Sequence, residues 1–344
     1  MTVSLRSPVR WERIGAIVFL ALTVTLLLQR YVGGTTIYAE RHEEQRAAVH
    51  EAILRNAPAP ERSWTEIGGS VNTRVATVYL AESLRRATGL SLMKTYALIE
   101  TAALFAALLA LFAFLMNGSG SQLALVGLLY VAAVQPLAYA FQYFQPWDRP
   151  SLLCWILVTW CIRRDRPLWA AALLPLAVLI KWDIVVLPGL YVFAYARKDN
   201  VVRVARAFAT MGICAVGTYL VLRWWLPAGP TPTLTPVNAS AIVPNMVANL
   251  RDVAELGLFY PPMLGLLLPA LLAIVGWRHG SRFEIASFAF GVAVLVPLFM
   301  LTHFREIRAE MPSLFLILPL ALRGVESLMP RSRQPAADSA VVRP

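Results

Sequence analysis

Three features of this sequence predict an all-α, polytopic integral membrane protein of about ten transmembrane helices. Hydrophobic residues fill 58% of the 344 positions and the mean hydropathy is +0.60, above the apolar share of ordinary soluble domains. Arginines gather in short segments between apolar runs, which is how spans are oriented. A first span is followed by a long stretch, residues 33–90, whose own helical patterns read as amphipathic surface helices on an extracytoplasmic loop. The whole of 1–328 reads as one transmembrane domain, with a second large outer loop at 227–256 and a disordered cytoplasmic tail at 329–344.

The net charge of +11 raises nucleic acid as a partner. The basic residues flank apolar runs and form no patch interleaved with aromatics, so the charge reads as orientation charge and nucleic acid is excluded. Cys154, Cys161 and Cys214 fall inside apolar runs without metal-ligand or disulfide spacing and read as packing residues.

Arg6, Arg10 and Arg13 precede the apolar run Ile14 to Leu28, a first span with its N-terminus inside. QRYVGG offers no small-x-small cleavage site, so the span is retained. In the outer loop, Ala39 to Leu54 reads as a polar helix ended by Pro58-Ala59-Pro60. Arg74 to Thr88 places Val75, Val78, Leu80 and Leu84 near one face, as in a helix on the membrane surface. Span two, about Leu92 to Met116, returns inside to a turn at NGSGS, Asn117 to Ser121. Span three, about Leu123 to Phe144, leads out to Gln145-Pro146-Trp147-Asp148-Arg149-Pro150, and a short span four, about Ser151 to Ile162, returns to RRDRP.

Leu168 to Tyr195 follows, 28 residues that are apolar except for Lys181 and Asp183 at the middle. The length suits one tilted span of roughly 20 residues or more. Arg163, Arg164 and Arg166 before it and Arg197, Lys198, Arg203 and Arg206 after it hold both ends inside, so the segment goes out and comes back. Lys181-Trp182-Asp183 is then the apex, either as a pair capping two short helices or as the floor of a polar cavity opening outward. Span seven, about Val204 to Leu226, reaches a Pro/Thr-rich outer loop, and Asn245 to Leu256 reads as a second surface helix. Spans eight (Phe259 to Ile274), nine (Ile285 to Leu301) and ten (Met311 to Leu328) complete a topology with both termini inside.

The unexplained polar residues map to the outer side: Glu40, His42, Glu43 and Glu44; Asp148 and Arg149; Lys181 and Asp183; and His303, Arg305, Glu306, Arg308 and Glu310 in the last outer loop. Cations suit a phosphate or diphosphate, Arg through its planar fork and Lys as a point charge. A carboxylate suits a general base for an attacking hydroxyl. Bland readings compete: a salt-bridged solvated face for Glu40, Glu43 and Glu44, a helix cap for Asp148, interfacial pairing for Arg305, Glu306 and Arg308, and loop histidines for His42 and His303. The sequence holds no metal-binding cluster, a weakly held divalent cation staying open, and no nucleotide-binding motif.

Two segments carry a resemblance. In AVLIKWDIVVLPGLY a lysine, Lys181, is followed by six residues and then Pro188. This element combines with the order of one span, a long outer loop with a surface helix, and many short spans. HFREIRAEMPSLFLILP, His303 to Pro319, is a charged stretch before the closing span. Together these resemble the GT-C superfamily of membrane glycosyltransferases, the likeness covering most of the chain as an architecture plus two loose motifs. It implies sugar transfer, with inversion, from a polyprenyl-phosphate donor to a glycan, lipid or protein acceptor outside a bacterial inner membrane, with membrane lipids as surroundings and no cofactor.

Such enzymes usually carry an Asp early in the first outer loop. This chain has none there, so the resemblance assigns the base to Glu40, Glu43 or Glu44, or to Asp148. It assigns the donor phosphate to Arg149, Lys181, Arg305 and Arg308, with Asp183, Glu306 and His303 orienting. A lipid transporter or flippase, and a non-catalytic protein of envelope assembly, are the alternatives.

Overall fold

The computed structural model describes residues 17–25, 27, 39–55, 74–138, 146–225, 239–257, 263–301 and 307–329. Their secondary structure is helical with short turns between helices, and no strand occurs among the described residues. Four of the helices are long and apolar enough to cross a membrane: Leu92–Gln135, Val201–Trp225, Arg282–Met300 and Glu310–Leu328. Three shorter apolar helices, Pro167–Ile180, Trp182–Tyr195 and Gly265–His279, stand beside them.

The first two elements after the opening helical residues 17–25 are α1 (Ala39–Leu54), with the bounds the sequence predicts, and α2 (Val75–Thr88). The packed face of α2 is Val75, Val78 and Ala81, while Leu80 is half exposed. That corrects the predicted face. At 100° per residue, Leu80 lies about 200° round from Val78 and cannot share its contacts.

Next comes α3 (Leu92–Ala138), broken at Gly120, whose φ of 77° and ψ of 168° are not helical. A Cβ on Gly127 would sit 2.8 Å from Leu115 Cδ1. Twelve residues of straight helix would separate those positions by about 18 Å, so the chain folds back on itself at Gly120, inside the predicted NGSGS turn. Only glycine takes that positive φ without strain.

After α4 (Asp148–Arg163), the segment predicted to go out and come back is a hairpin of α5 (Pro167–Ile180), a 3-10 turn at Trp182–Val186 and α6 (Pro188–Tyr195). After running away along α5, the chain returns: Tyr195 Oη donates to the carbonyls of Ile162 and Arg163 at 2.9 and 3.0 Å, and Tyr191 Oη donates to Asp165 Oδ1 at 2.7 Å. These bonds define a base end, and Lys181 lies at the apex end. α5 has 14 residues, about 21 Å at 1.5 Å each, short of a hydrocarbon core of about 30 Å. α7 (Val201–Trp225) packs along both limbs and leaves Ile213, Leu220 and Val221 exposed. An apolar face of that extent suits lipid contact.

The remaining helices are α8 (Ala239–Leu256), α9 (Leu268–Gly276) between a π turn at Met263–Leu267 and a 3-10 turn at Trp277–His279, α10 (Arg282–Leu301) and α11 (Ile307–Leu328). From Met311 to Leu322 every residue of α11 is buried. A helix that is apolar all round belongs in the centre, and α3, α9 and α10 pack against it.

At the base end the sequence Ser281-Arg282-Phe283-Glu284 forms a capping box. The Ser281 N–H donates to Glu284 Oε2 at 2.7 Å and the Glu284 N–H donates to Ser281 Oγ at 3.3 Å. Glu284 is fully buried and also meets Arg323 at 3.3 Å and Arg163 at 3.8 Å. Removing one partner of a buried charge cluster leaves the others uncompensated. Glu284→Ala is therefore expected to lower stability by about 3 kcal/mol or more, read as a lower unfolding temperature in detergent, with Glu284→Gln retaining the cap and falling between.

Candidate functional site

Asp148 and Arg149 open α4, and at the apex α5 ends at Lys181, whose backbone is extended at φ −158° and ψ 121°. In a helix, residues two apart face different directions, whereas extended backbone puts them on one side. Lys181 and Asp183 therefore meet, with Nζ 3.1 Å from Asp183 Oδ2. The same Nζ lies 3.1 Å from Asp148 Oδ1, which ties the apex to the start of α4. The predicted pair exists, and it sits inside a larger charged cluster rather than serving only as a cap; the groove described below is lined by apolar residues and does not form the polar floor of the other reading.

Arg149 pairs with a different helix. Its side chain is 2% exposed and its NH1 lies 3.6 Å from Glu100 Oε2 of α3. Three carboxylates, Glu100, Asp148 and Asp183, thus face two cations, Arg149 and Lys181. Asp148 is 5% exposed and Lys181 13%, while Asp183 at 34% is the member nearest to solvent. The expected helix cap is corrected in detail. Asp148 lies within the first turn of α4, the preceding Trp147 makes no side-chain cap bond, and the Asp148 carboxylate is engaged with Lys181. Water-poor surroundings strengthen each of these attractions and make the loss of any partner expensive.

Glu100 is not among the residues that sequence patterns single out. The available signal is an acid standing in the apolar run ALIETAALFAALL, since an ionisable residue inside a span marks a site by default. Glu310 is expected in an outer loop. The structure places it in the first turn of α11, 1% exposed, with neither carboxylate oxygen hydrogen-bonded among the described residues. Gln135 of α3 is buried in the same condition. Buried polar groups are normally partnered, so both are positions where the apolar interior holds unused hydrogen-bonding capacity.

An apolar groove of about 710 Å³ is lined by residues of the same helices. Its walls come from α2, α3, α4 and α5, including Leu80, Leu98, Ala103, Leu153 and Leu176. Leu80, Leu98 and Leu176 are each about half exposed, so the groove opens sideways through an apolar rim. Pro150 and Ile180 also line it, and these are the chain neighbours of Arg149 and Lys181. Cys154, expected as a packing residue, lies on its wall.

Above the groove, α1 and α2 are joined to α3 by His50, which is 3% exposed. Its Nδ1 lies 2.8 Å from Tyr96 Oη and its Nε2 3.3 Å from Glu82 Oε2. Glu82 accepts from Arg85 at 2.8 and 3.0 Å and from Arg86 at 2.6 Å, which holds its carboxyl well below the usual carboxylate range. The Arg74 guanidinium lies 4.6 Å above the Trp147 ring, so the start of α2 rests beside the start of α4.

Of the predicted base candidates, Glu40, Glu43 and Glu44 lie on the backbone of α1, and their side chains fall outside the described residues. Arg308 lies in the first turn of α11 in the same position, and His303, Arg305 and Glu306 fall wholly outside the description. The site as described therefore joins Asp148, Arg149, Lys181 and Asp183 and adds Glu100. Among the described residues no group of three or more His, Cys, Asp or Glu side chains is placed to hold a metal ion. No family model, curated protein or solved structure matches the chain.

Proposed function

We propose that the chain is a membrane glycosyltransferase of the GT-C kind, moving a sugar from a polyprenyl-phosphate donor to an acceptor on the extracytoplasmic face of a bacterial inner membrane. In this reading it crosses the membrane about ten times with both termini cytoplasmic, and the apex end of the hairpin faces outward. One observation carries the proposal. The lining of an apolar groove with an apolar lateral rim includes Pro150 and Ile180, the chain neighbours of the cations Arg149 and Lys181. A long lipid chain fits the groove, and its phosphate reaches the cations.

The roles in this reading are as follows. Lys181 and Arg149 hold the donor phosphate, with Arg305 and Arg308 as further cations. Asp148, Asp183 and Glu100 position Lys181 and Arg149. Because Asp148 is committed to Lys181, the base is assigned to Glu40, Glu43 or Glu44 of α1, with His303 and Glu306 as orienting groups. The base takes the proton of the acceptor hydroxyl, whose oxygen attacks the anomeric carbon from the face opposite the phosphate. The carbon–phosphate-oxygen bond breaks with its electron pair leaving on the phosphate, where Lys181 and Arg149 balance the new charge, and the anomeric centre inverts.

Native mass spectrometry of the gently solubilised protein tests this. The wild type is expected to retain a polyprenyl phosphate, and Ala103→Trp, which fills the groove, is expected to lose it about tenfold or more while keeping bulk phospholipid. Retention of bulk phospholipid alone, equal in both proteins, contradicts the proposal.

A further inference from the structure

The central helix α11 carries two buried polar groups that the Lys181 cluster does not engage. α10 and α11 run antiparallel: Glu284 meets Arg323 at 3.3 Å, Ser287 Oγ donates to the Leu316 carbonyl at 2.8 Å, and a Cβ on Gly291 would sit 3.3 Å from the Ser313 carbonyl. Glu310 precedes Arg323 by thirteen residues, about 20 Å along the helix and so near the end of α11 remote from the base. Glu310 is 1% exposed and Ser313 fully buried. Three residues apart on one helix, they are neighbours on its surface. Neither carboxylate oxygen of Glu310 has a hydrogen-bond partner among the described residues, and neither does Ser313 Oγ.

Each group departs from the ordinary behaviour of its kind. A hydroxyl in an apolar helix can donate to the carbonyl four residues back, as Thr101 does to Ala97 and Thr218 to Cys214, both at 2.6 Å. Ser313 makes no such bond, so its oxygen is uncommitted. A carboxylate taken out of water is costly unless a positive partner lies against it. An ionisable residue inside a span therefore marks a site, and its partner follows from the chemistry around it.

The groups on offer are oxygens, which suit a hard cation rather than a soft transition metal. A single carboxylate neutralises a single positive charge. Among the described residues no group of three or more His, Cys, Asp or Glu side chains is placed to hold a metal ion, and a divalent ion on Glu310 alone would leave net charge in the apolar interior. The close approach of the Gly291 and Ser313 backbones favours a small ion over an organic ammonium. We propose that Glu310 and Ser313 hold a hard monovalent cation of about the size of sodium, the carboxylate balancing its charge and Ser313 Oγ adding a further oxygen, with water completing its shell. A proton would neutralise Glu310 but leave the Ser313 oxygen unused. This site is separate from the roles assigned to the donor lipid and does not depend on them.

Carbodiimide labelling of the full chain in nanodiscs tests the site without any lipid substrate. Dicyclohexylcarbodiimide adds to carboxyl groups in apolar surroundings, and peptide mapping reads its attachment at Glu310. Sodium chloride at about 100 mM is expected to slow that labelling about tenfold relative to choline chloride of equal strength, as for a dissociation constant of about 10 mM. Ser313→Ala keeps the carboxyl and is expected to need about tenfold more sodium for the same protection. The wild-type unfolding temperature is expected to rise by about 2–4 °C on exchanging choline for sodium. Glu310→Gln keeps the shape, removes the charge and is expected to fold without that rise. Labelling of Glu310 that sodium does not slow, absence of labelling there, or a sodium-dependent rise that survives in Glu310→Gln overturns the site. Failure of the lipid reading shows separately, as absence of polyprenyl phosphate from a protein whose Glu310 sodium still protects.

Discussion

Lys181→Ala is expected to destabilise the protein by about 3–5 kcal/mol and to weaken lipid-phosphate retention. The first effect follows because Asp148, 5% exposed, loses the ammonium 3.1 Å away and stays behind as a buried charge. The second follows from the proposed role of Lys181 in holding the lipid phosphate. The two effects can be separated. In Lys181→Met combined with Asp148→Leu both charges leave together, and a well-packed apolar pair is often as stable as the ion pair it replaces. The double variant is therefore expected to recover most of the unfolding temperature and none of the retention. The loss in retention should be about tenfold to a hundredfold, the equivalent of one charged hydrogen bond of about 1.5–3 kcal/mol. Recovery of both properties would make the cluster a structural clamp only.

The largest effect on folding is expected at the crossing of α9 and α11. A Cβ on Gly324 would overlap the backbone carbonyl of Leu272, and one on Gly276 would come 2.5 Å from the Gly324 backbone nitrogen. Backbone cannot yield as a flexible side chain does, so any larger residue drives the two helices apart. Overpacking of a core ordinarily costs about 1–3 kcal/mol, occasionally more, and here the contact is backbone on backbone in the central helix. Gly324→Ala is expected at or above the top of that range. Gly324→Val is expected to leave no monodisperse protein on size-exclusion chromatography. In contrast, alanine at Gly212 or Gly217 of α7 meets nothing within 4 Å and is expected to be silent.

What can be read from sequence is what depends on neighbours in the chain. The bounds of α1, the fold-back in NGSGS and the apex at Lys181 follow from hydrophobic runs, glycine and the placement of arginines, all local quantities. The contact of Lys181 with Asp183 is local too, being a matter of one extended residue. Its contact with Asp148 joins two distant parts of the chain and depends on α4 and α5 lying side by side, which no spacing rule states. Glu100 and Arg149 meet only because α3 and α4 run parallel, with Arg149 beside Glu100 and, further along both helices, Arg163 bonding the Phe114 carbonyl at 2.8 Å. His50 is hidden for a different reason. It sits in a polar helix, and only the burial of Val49, Ala52 and Ile53 around it shows that its side is the inner one. The glycine pair at the α9–α11 crossing leaves no trace in composition, because single glycines in apolar helices also occur where nothing touches them, as at Gly212.

The alternative as a transporter shares the broken hairpin and the charges at its apex, and what separates it from the transferase is where a lipid phosphate rests. A polyprenyl phosphate carrying a photoactivatable group on its second isoprene unit, added to the full chain in nanodiscs and irradiated, reports this directly by peptide mapping. The account predicts labelling of 98–106 and 173–180, the walls of the groove beside Arg149 and Lys181, and its loss in Ala103→Trp. Labelling confined to the exposed outer face of α7, around Ile213, Leu220 and Val221, would show that the lipid meets the protein only as bulk membrane and would contradict the account.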